Sequence, residues 1–434
     1  MIFSKPDSPK TERRGGLSQL LASIALASCV FPLLASSPAF AAPQDEPRVQ
    51  ASDLVYLGAF RLPNDDAIGS SNFNYGGHGL TPYKDPASGK LTLYMEGHAQ
   101  KSGQVAQVEV PDRFVKSSNW DSLPMARVLQ TFHDVTDGKL SSIDPSDPNP
   151  KFVYGMLAYN GRLIVGAGNS YSFSQSKSHG VSSLDLASSG DFKGFYSFDG
   201  GTVAPPRALG GPMTVIPPEW RSAFGGPALT GQCCISIIST TSAGPSATVF
   251  DPDNVGSGNS IPGKTVLFYP LEHPVSGGLG SEASTNDIFN LTTRVGGVVF
   301  PPGTRSVLFI GGHGTGNYCY GTAAACGNDT AMADVKGPHA QPYRYQIWAY
   351  DANDLAAVRS GSRQTWEPKP YAIWVLSEMP NSWSPNIAGA GYDPATSLLF
   401  IAQEYGSKPR IEVYRISISD APVPPNPPNG LSIN

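Results

Sequence analysis

One strand-rich pattern recurs five times along the chain, and it constrains the fold more than any single motif. Each copy is a small-residue or Gly-rich strand, a turn often carrying Asp-Pro or Gly, a second apolar strand, and a third strand ending in a polar turn. The copies are YGGHGLTPYKDPASGKLTLYMEGH from Tyr75 with AQVEVP, YGMLAYNGRLIVGAG from Tyr154 with SSLDLA, and FGGPALTGQCCISIIST from Phe224 with ATVFDPD. VGGVVFPPGTRSVLFIGGHG from Val295 with QIWAYDANDL and AGAGYDPATSLLFIAQEYG from Ala388 with IEVYRISI complete the set. Further short apolar strands lie between copies, as ARVLQTF, PMTVIPP, TVLFYPL and AIWVLSEMP. Each unit is therefore a four-stranded meander, and radial repetition of such sheets is a β-propeller. The 47 Gly and 40 Pro, a fifth of the 434 residues, exclude a helical bundle or coiled coil.

The ends of the repeat array predict how it closes. LVYLGAFRLP, from Leu54, has the pattern of an outer strand but no unit before it, whereas the last unit, ending at Ile418, lacks one. The N-terminal strand is expected to complete the C-terminal blade and so hide two open sheet edges. The copies are spaced roughly 70 to 90 residues apart, whereas a four-stranded blade takes roughly 40 to 50. That spacing predicts an all-β propeller of seven four-stranded blades over residues 52–418, with two degenerate units near 185–225 and 320–385. The Pro-rich tail 421–434 is read as a linker or frayed end.

Residues 1–41 have the form of an export signal. Lys5, Lys10, Arg13 and Arg14 precede an apolar stretch from Leu17 to Leu34, and Ala39-Phe40-Ala41 is a small-x-small cleavage site. Arg13-Arg14 leaves a twin-arginine variant open, and Leu26-Ala27-Ser28-Cys29 a lipobox variant. Ser18, Gln19, Ser23, Ser28 and Pro32 interrupt the stretch as a membrane anchor, so the expected product is a secreted or periplasmic protein with no membrane attachment after cleavage. The whole chain has a formal charge of −5, and removing the basic leader makes it more acidic. With no basic run, a nucleic-acid partner is not expected. A monomer is expected.

Three of the seven His end apolar strands in Gly-flanked contexts: His78, His98 and His313. Small neighbours let a ligand approach the backbone there, and in a propeller such positions face the central funnel. A lone His of this kind is more often a satisfied structural group; three in repeat-equivalent positions point to a site. Four cysteines follow the leader: Cys233, Cys234, Cys319 and Cys326. Two readings stay open for them. Cys319 and Cys326 suit a disulfide in an exported protein, while adjacent cysteines pair poorly. Alternatively a structural zinc is held by Cys234 (or Cys233), Cys319, Cys326 and His339, and this is the metal set expected here. Asp251-Pro252-Asp253-Asn254 and Asp351-Ala352-Asn353-Asp354 read as turns rather than calcium loops, the Gly311–Gly316 run lacks a phosphate loop's Lys, and no G-x-S-x-G is present.

The YGGHGL and YMEGHAQ segments, with two His twenty residues apart, resemble the seven-bladed β-propeller polysaccharide lyases, including ulvan lyases and rhamnose-glucuronate lyases. The resemblance extends over residues 52–418, through FGGPALTGQCC, RSVLFIGGHGTGNYCYG and KGPHAQPYRYQIWAYD. It implies eliminative cleavage of an anionic polysaccharide beside a uronic acid by His, Tyr and Arg, with no metal required for catalysis, and structural zinc also occurs in these lyases. The chemistry wants those residues. A cation must neutralise the uronate before its C5 proton can leave, a base takes that proton, and an acid protonates the departing O4 oxygen. His78 and His98 match the family's paired His. Tyr171, just past a strand end, is the expected acid/base, with Tyr154 and Tyr159 as alternatives. Arg207, flanked by Pro and Gly, is the expected carboxylate partner, with Arg162 and Arg344 as rivals. In the stretch after Tyr171, where the family's neutralising Arg is expected, this sequence has His179, Ser182 and Ser183. The competing functions are a non-catalytic glycan- or protein-binding propeller and, third, a metal-dependent hydrolase or lactonase, for which only Glu96 and Glu404 come near inner-strand ends.

Overall fold

In the computed structural model, residues 42–418 are described, apart from 66, 189, 201–202, 235–238, 281–283, 330–335, 381–383, 385 and 405. The leader 1–41 and the tail 421–434 lie outside the described residues. The first strand is β1 (Leu54–Arg61). Blade one is β2 (Leu80–Lys84), β3 (Leu91–Glu96), β4 (Gln104–Glu109) and β5 (Arg127–Asp134). Blade two is β6 (Lys151–Tyr159), β7 (Arg162–Asn169), β8 (His179–Ser183) and β9 (Lys193–Asp199). Blade three is β10 (Met213–Val215), β11 (Ala228–Thr230), β12 (Ala247–Phe250) and β13 (Ser260–Leu267). A short α1 (Arg221–Phe224) sits between β10 and β11.

Blade four starts with β14 (Arg294–Val299) and β15 (Ser306–Gly314), is interrupted by the hairpin β16 (Cys319–Gly321) and β17 (Gly337–His339), and resumes with β18 (Tyr343–Asp351). After α2 (Ala352–Arg359) it ends with β19 (Ala372–Val375). Blade five is β20 (Ile387–Asp393), β21 (Leu398–Gln403) and β22 (Arg410–Ile416), and β1 adds to it as the fourth strand. The expected closure is present: β1 pairs antiparallel with β22 from Leu54↔Ile416 to Arg61↔Arg410.

Five blades, rather than the seven expected from spacing, make up the described propeller. Their first strands meet in a cycle, β2 against β6, β6 against β10, β10 against β14, β14 against β20 and β20 against β2. The two stretches read as hidden blades hold strands of the visible units: β9 and β10 with α1 around 185–225, and β16 to β19 with α2 around 320–385. Long connections stretch the period beyond that of a bare blade. One such edge is hydrogen-bonded across blades, since β13 runs parallel to β9 from Ser260↔Ser197 to Pro262↔Asp199.

Packing follows from the period-two alternation of each strand, which sends neighbouring side chains to opposite faces. In β3, Leu93 and Met95 pack towards Phe400 and Val413 of blade five, whereas Tyr94 between them packs towards Val153 and Val165 of blade two. Corresponding clusters join blades two and three (Ile164, Val181, Met213, Phe250), three and four (Val249, Val266, Val307, Trp348), and four and five (Ile310, Ile347, Leu399, Tyr414). Each such buried Val, Leu or Ile contributes roughly 1.5–3 kcal/mol. Near the axis the first strands crowd, and small residues become obligatory: a Cβ on Gly155 would lie 1.8 Å from the Gly211 carbonyl oxygen. Among the described residues no helix is long and apolar enough to cross a membrane.

Candidate functional site

All five blades contribute to one cavity of about 270 Å³. Blade one supplies His78, blade two Phe152 and Tyr154, blade three Cys233 and Cys234, blade four Arg294, and blade five Asn386 and Glu404. Bulges near the starts of three of the first strands lie beside this cavity. The register slips between Val153 and Gly155 in β6, between Val295 and Gly297 in β14, and between Ile387 and Gly389 in β20. Tyr154 is the extra residue of the first slip, and an unpaired residue at a bulge is free of the strand's normal alternation. His78 sits just before β2 between Gly77 and Gly79, whose φ values of +107° and +61° favour glycine.

The electrostatics divide the lining into donors, an acceptor and a cation. Burial lowers the His78 imidazole pKa, opposed by Glu404 and reinforced by Arg294, so the ring is held neutral. Its ring meets Tyr154 edge-on with centroids 5.8 Å apart. Burial pushes the Tyr154 phenol up to about 12, despite the opposing charges of Arg294 and Arg207. Burial would raise the Glu404 carboxyl, yet His78, Arg294 and hydrogen bonds from Ser384 and Asn386 hold it below the usual carboxylate range. The Asn386 amide donates to Glu404 Oε2 at 2.7 Å. Arg294 makes no direct side-chain hydrogen bond or salt bridge among the described residues, and its charge acts across the cavity on Glu404, His78 and Tyr154.

The residues expected from sequence divide sharply. His78 is in the cavity. His98 is at its edge: it caps the turn Ala99–Lys101, accepting from Gln100 N–H at 3.2 Å, and packs against Tyr75, while its neighbour Ala99 lines the cavity. Tyr171 meets Phe173 edge-on in an exposed loop, 44% accessible, and is not among the lining residues. The alternative Tyr154 occupies the position instead, because the bulge, not the strand end, turns a side chain to the axis.

Arg207 is fully buried, which corrects its expected role. Its guanidinium donates to the Asn169 and Ser170 carbonyls at 3.0 and 2.8 Å and to the Thr240 hydroxyl at 3.0 Å. Burial lowers its pKa to about 10, yet it stays protonated at neutral pH. The Arg207 carbonyl also accepts from Cys233 N–H at 3.1 Å, so this residue fastens the cysteine segment to the end of β7. Arg162 and Arg344 are also engaged: Arg162 pairs with Asp253, and Arg344 donates to Gln346 and the Asp287 carbonyl. Arg294 is the cation that the sequence reading missed; it stands one residue before the fourth repeat as delimited from Val295.

The zinc set does not assemble from these donors. Cys233 is disulfide-bonded to Cys234, and Cys319 to Cys326, so none of the sulfurs is a thiolate. The vicinal bridge, judged unfavourable from sequence, is accommodated where Gly168 leaves room: a Cβ there would meet Cys233 Sγ at 2.5 Å. His339 lies opposite Cys319 in the β16–β17 hairpin and faces the buried Asp329, which also accepts from the Tyr343 hydroxyl at 2.6 Å. The remaining strand-end His are structural. His313 bonds Thr293 and the Asn286 carbonyl, and His179 lies between Ser178 and Thr230.

No protein-family model matches the chain, and no characterised protein matches it by sequence. Among solved structures it is similar to a GH43 endo-arabinanase from Bacillus licheniformis, with 13% identity, 79% of this chain and 95% of that chain covered, and a TM-score of 0.38. The native arabinanase of Bacillus subtilis gives 13% identity over 80% of this chain and 96% of that chain, again at 0.38. A GH130 structure, from work on glycoside hydrolases that target β-1,2-mannosidic linkages in Candida mannan, gives 12%, 88%, 99% and 0.38.

Proposed function

We propose that the axial cavity binds an acidic sugar residue of an exported protein's polysaccharide substrate and cleaves beside it by β-elimination. The observation that carries this reading is Arg294, a cation with no direct side-chain hydrogen bond or salt bridge among the described residues, in a cavity that also holds His78 and Tyr154. Arg294 pairs with the uronate carboxylate and lowers the cost of charge developing on it as the C5 proton leaves. The neutral His78 imidazole takes that proton. Tyr154, whose phenol keeps its proton at any physiological pH, donates to the departing O4 oxygen. Base and acid are thus assigned by opposite responses to the same burial. Glu404 and Asn386 offer an acceptor and an amide to sugar hydroxyls. Two disulfides support an oxidising compartment and hence export.

Glycoside hydrolysis is the second reading, and the ionised Glu404 is the observation that favours it. Hydrolysis by paired carboxylates needs a second one facing the bond, and among the described lining residues Glu404 stands alone. The two readings separate on product chemistry. Elimination leaves an ultraviolet-absorbing C4=C5 double bond on the new non-reducing end, and hydrolysis leaves none. Incubation with ulvan, gum arabic, pectin and alginate is expected to give that absorbance with at least one polymer, and His78→Ala to abolish it. New reducing ends without absorbance would instead establish hydrolysis.

A further inference from the structure

Behind His78 lies an acid that the cavity lining does not include. Glu96 ends β3 and is fully buried. Its Oε1 is committed, accepting from the Ser102 hydroxyl and from Gly103 N–H at 2.9 Å. Its Oε2 is shielded from solvent and has no hydrogen-bond partner, and the same is true of His78 Nδ1. These two orphaned atoms face each other at 3.9 Å. Leaving either unsatisfied costs roughly 1–3 kcal/mol, so a small ring or carboxyl rotation that joins them is favoured. Contacts of this kind are often long without substrate and tighten when it binds.

We infer that Glu96 is the positioning residue of the site, acting through His78: as a carboxylate it accepts the Nδ1 proton, which leaves Nε2 unprotonated to receive the substrate's C5 proton. The inference rests on the elimination reading for its chemistry, but the contact between the two side chains stands on geometry alone. The proton balance is simple. The C5–H bond breaks, its electron pair enters the forming C4=C5 double bond, the proton goes to Nε2, and Tyr154 protonates the O4 that leaves. The resulting imidazolium carries Nδ1–H against the Glu96 carboxylate, and their opposite charges stabilise it. When Glu96 is protonated the arrangement inverts: its O–H donates to Nδ1, the ring proton sits on Nε2, and His78 cannot act as base.

The site therefore switches on as pH rises. Burial pushes the Glu96 carboxyl up to about 8, opposed by the Ser102 hydroxyl and by the Gly103 and Val153 N–H groups. The other charged or titratable groups facing this pair are Glu404 of blade five, Arg294 of blade four and Tyr154 of blade two. Glu404, held below the usual carboxylate range, keeps its charge and Tyr154 its proton across that pH range.

The test reads the imidazole itself. Long-range proton–nitrogen NMR on histidine-labelled protein, with the His78 signals identified by their loss in His78→Gln, reports which ring nitrogen is protonated between pH 6 and 9. The expected result is a change from Nε2–H to Nδ1–H as pH rises, and loss of that change in Glu96→Gln, whose amide donates to Nδ1 and fixes Nε2–H throughout. On an active polymer, Glu96→Gln lowers turnover by about 100-fold and removes its rise with pH. If Glu96→Gln does not fold, Ser102→Ala serves: with one donor removed from Oε1, the tautomer change moves to higher pH. A His78 tautomer that is insensitive to pH and to both substitutions overturns the inference. A tautomer change in a protein that eliminates no polymer overturns the lyase reading and keeps the Glu96–His78 contact.

Discussion

The outer edge of blade five and the axial cavity use the same three side-chain types to opposite ends. At the edge, where β1 closes the ring, Tyr56 donates to Glu412 Oε2 at 2.7 Å and Arg410 Nε lies 2.6 Å from Glu412 Oε1. Glu412 is fully buried and Arg410 8% exposed, so the charges are spent on each other. In the cavity the three come from three blades: Arg294 opens β14, Tyr154 sits at the slip in β6 and Glu404 follows β21, and Arg294 makes no direct hydrogen bond or salt bridge to a side chain among the described residues. A set whose charges are paired within itself holds a fold together. A cation that acts on its neighbours only across a cavity keeps its donors for a ligand.

Exchanging the two arginines for alanine gives the largest effects and the sharpest break. Arg410→Ala strands the buried Glu412 and is expected to lower unfolding free energy by about 3–5 kcal/mol. Denaturant titration reads that loss, and turnover per folded molecule stays unchanged. Arg294→Ala should do the reverse: elimination falls about 100- to 1,000-fold while the denaturation midpoint barely moves. If both substitutions act on stability alone, the contrast between the regions is wrong.

The tyrosines sharpen the same contrast at smaller size. Tyr154→Phe removes the proton donor and is expected to lower turnover by about 100-fold, whereas Tyr56→Phe leaves turnover alone and costs about 1–3 kcal/mol of stability. Tyr171→Phe, at the exposed loop, is expected to change neither.

The smallest effect concerns acid. The folded Glu404 carboxyl is held below its ordinary pKa of 4.5, so its contribution to stability is present above that pH and lost as pH falls through the lowered value. Thermal melts of wild type and Glu404→Gln should therefore differ near neutrality, by about 1–2 kcal/mol, and converge in acid. A difference that grows on acidification would reverse the assigned shift.

Much of the architecture was legible because it repeats. Four of the five copies seen in the sequence begin on the first strand of a blade; the third, from Phe224, begins on β11, because PMTV, read as a strand between copies, is the first strand of blade three, and the orphan strand at Leu54 closes the last blade. Dividing chain length by a bare blade's length misled the count, since a propeller tolerates long connections such as the β16–β17 hairpin without adding a blade. His78, which its flanking glycines single out, lines the axial cavity. Tyr171 and Arg207 lie outside the cavity lining, since strand-end position and Pro-Gly rigidity carry no direction. What directs Tyr154 is a register slip in the first strand, visible only once strands are paired. Arg294 carried one usable signal: it immediately precedes the V-G-G that opens blade four, two residues ahead of the slip position, as Asn386 does in blade five. The cysteines were misassigned because adjacency disfavours a bridge in a free chain, while the fold supplies the space beside Gly168 and the Arg207 clasp.

The central claim is that Arg294 meets a carboxylate in a reaction that makes a double bond. The most direct test follows ultraviolet absorbance with a cleaved uronate polymer and with the same polymer after its carboxylates are reduced to primary alcohols. The account predicts absorbance from the native polymer, none from the reduced one, and a comparable loss when Arg294→Ala meets the native polymer. Equal cleavage of native and reduced polymer, or new chain ends with no absorbance from either, would contradict it.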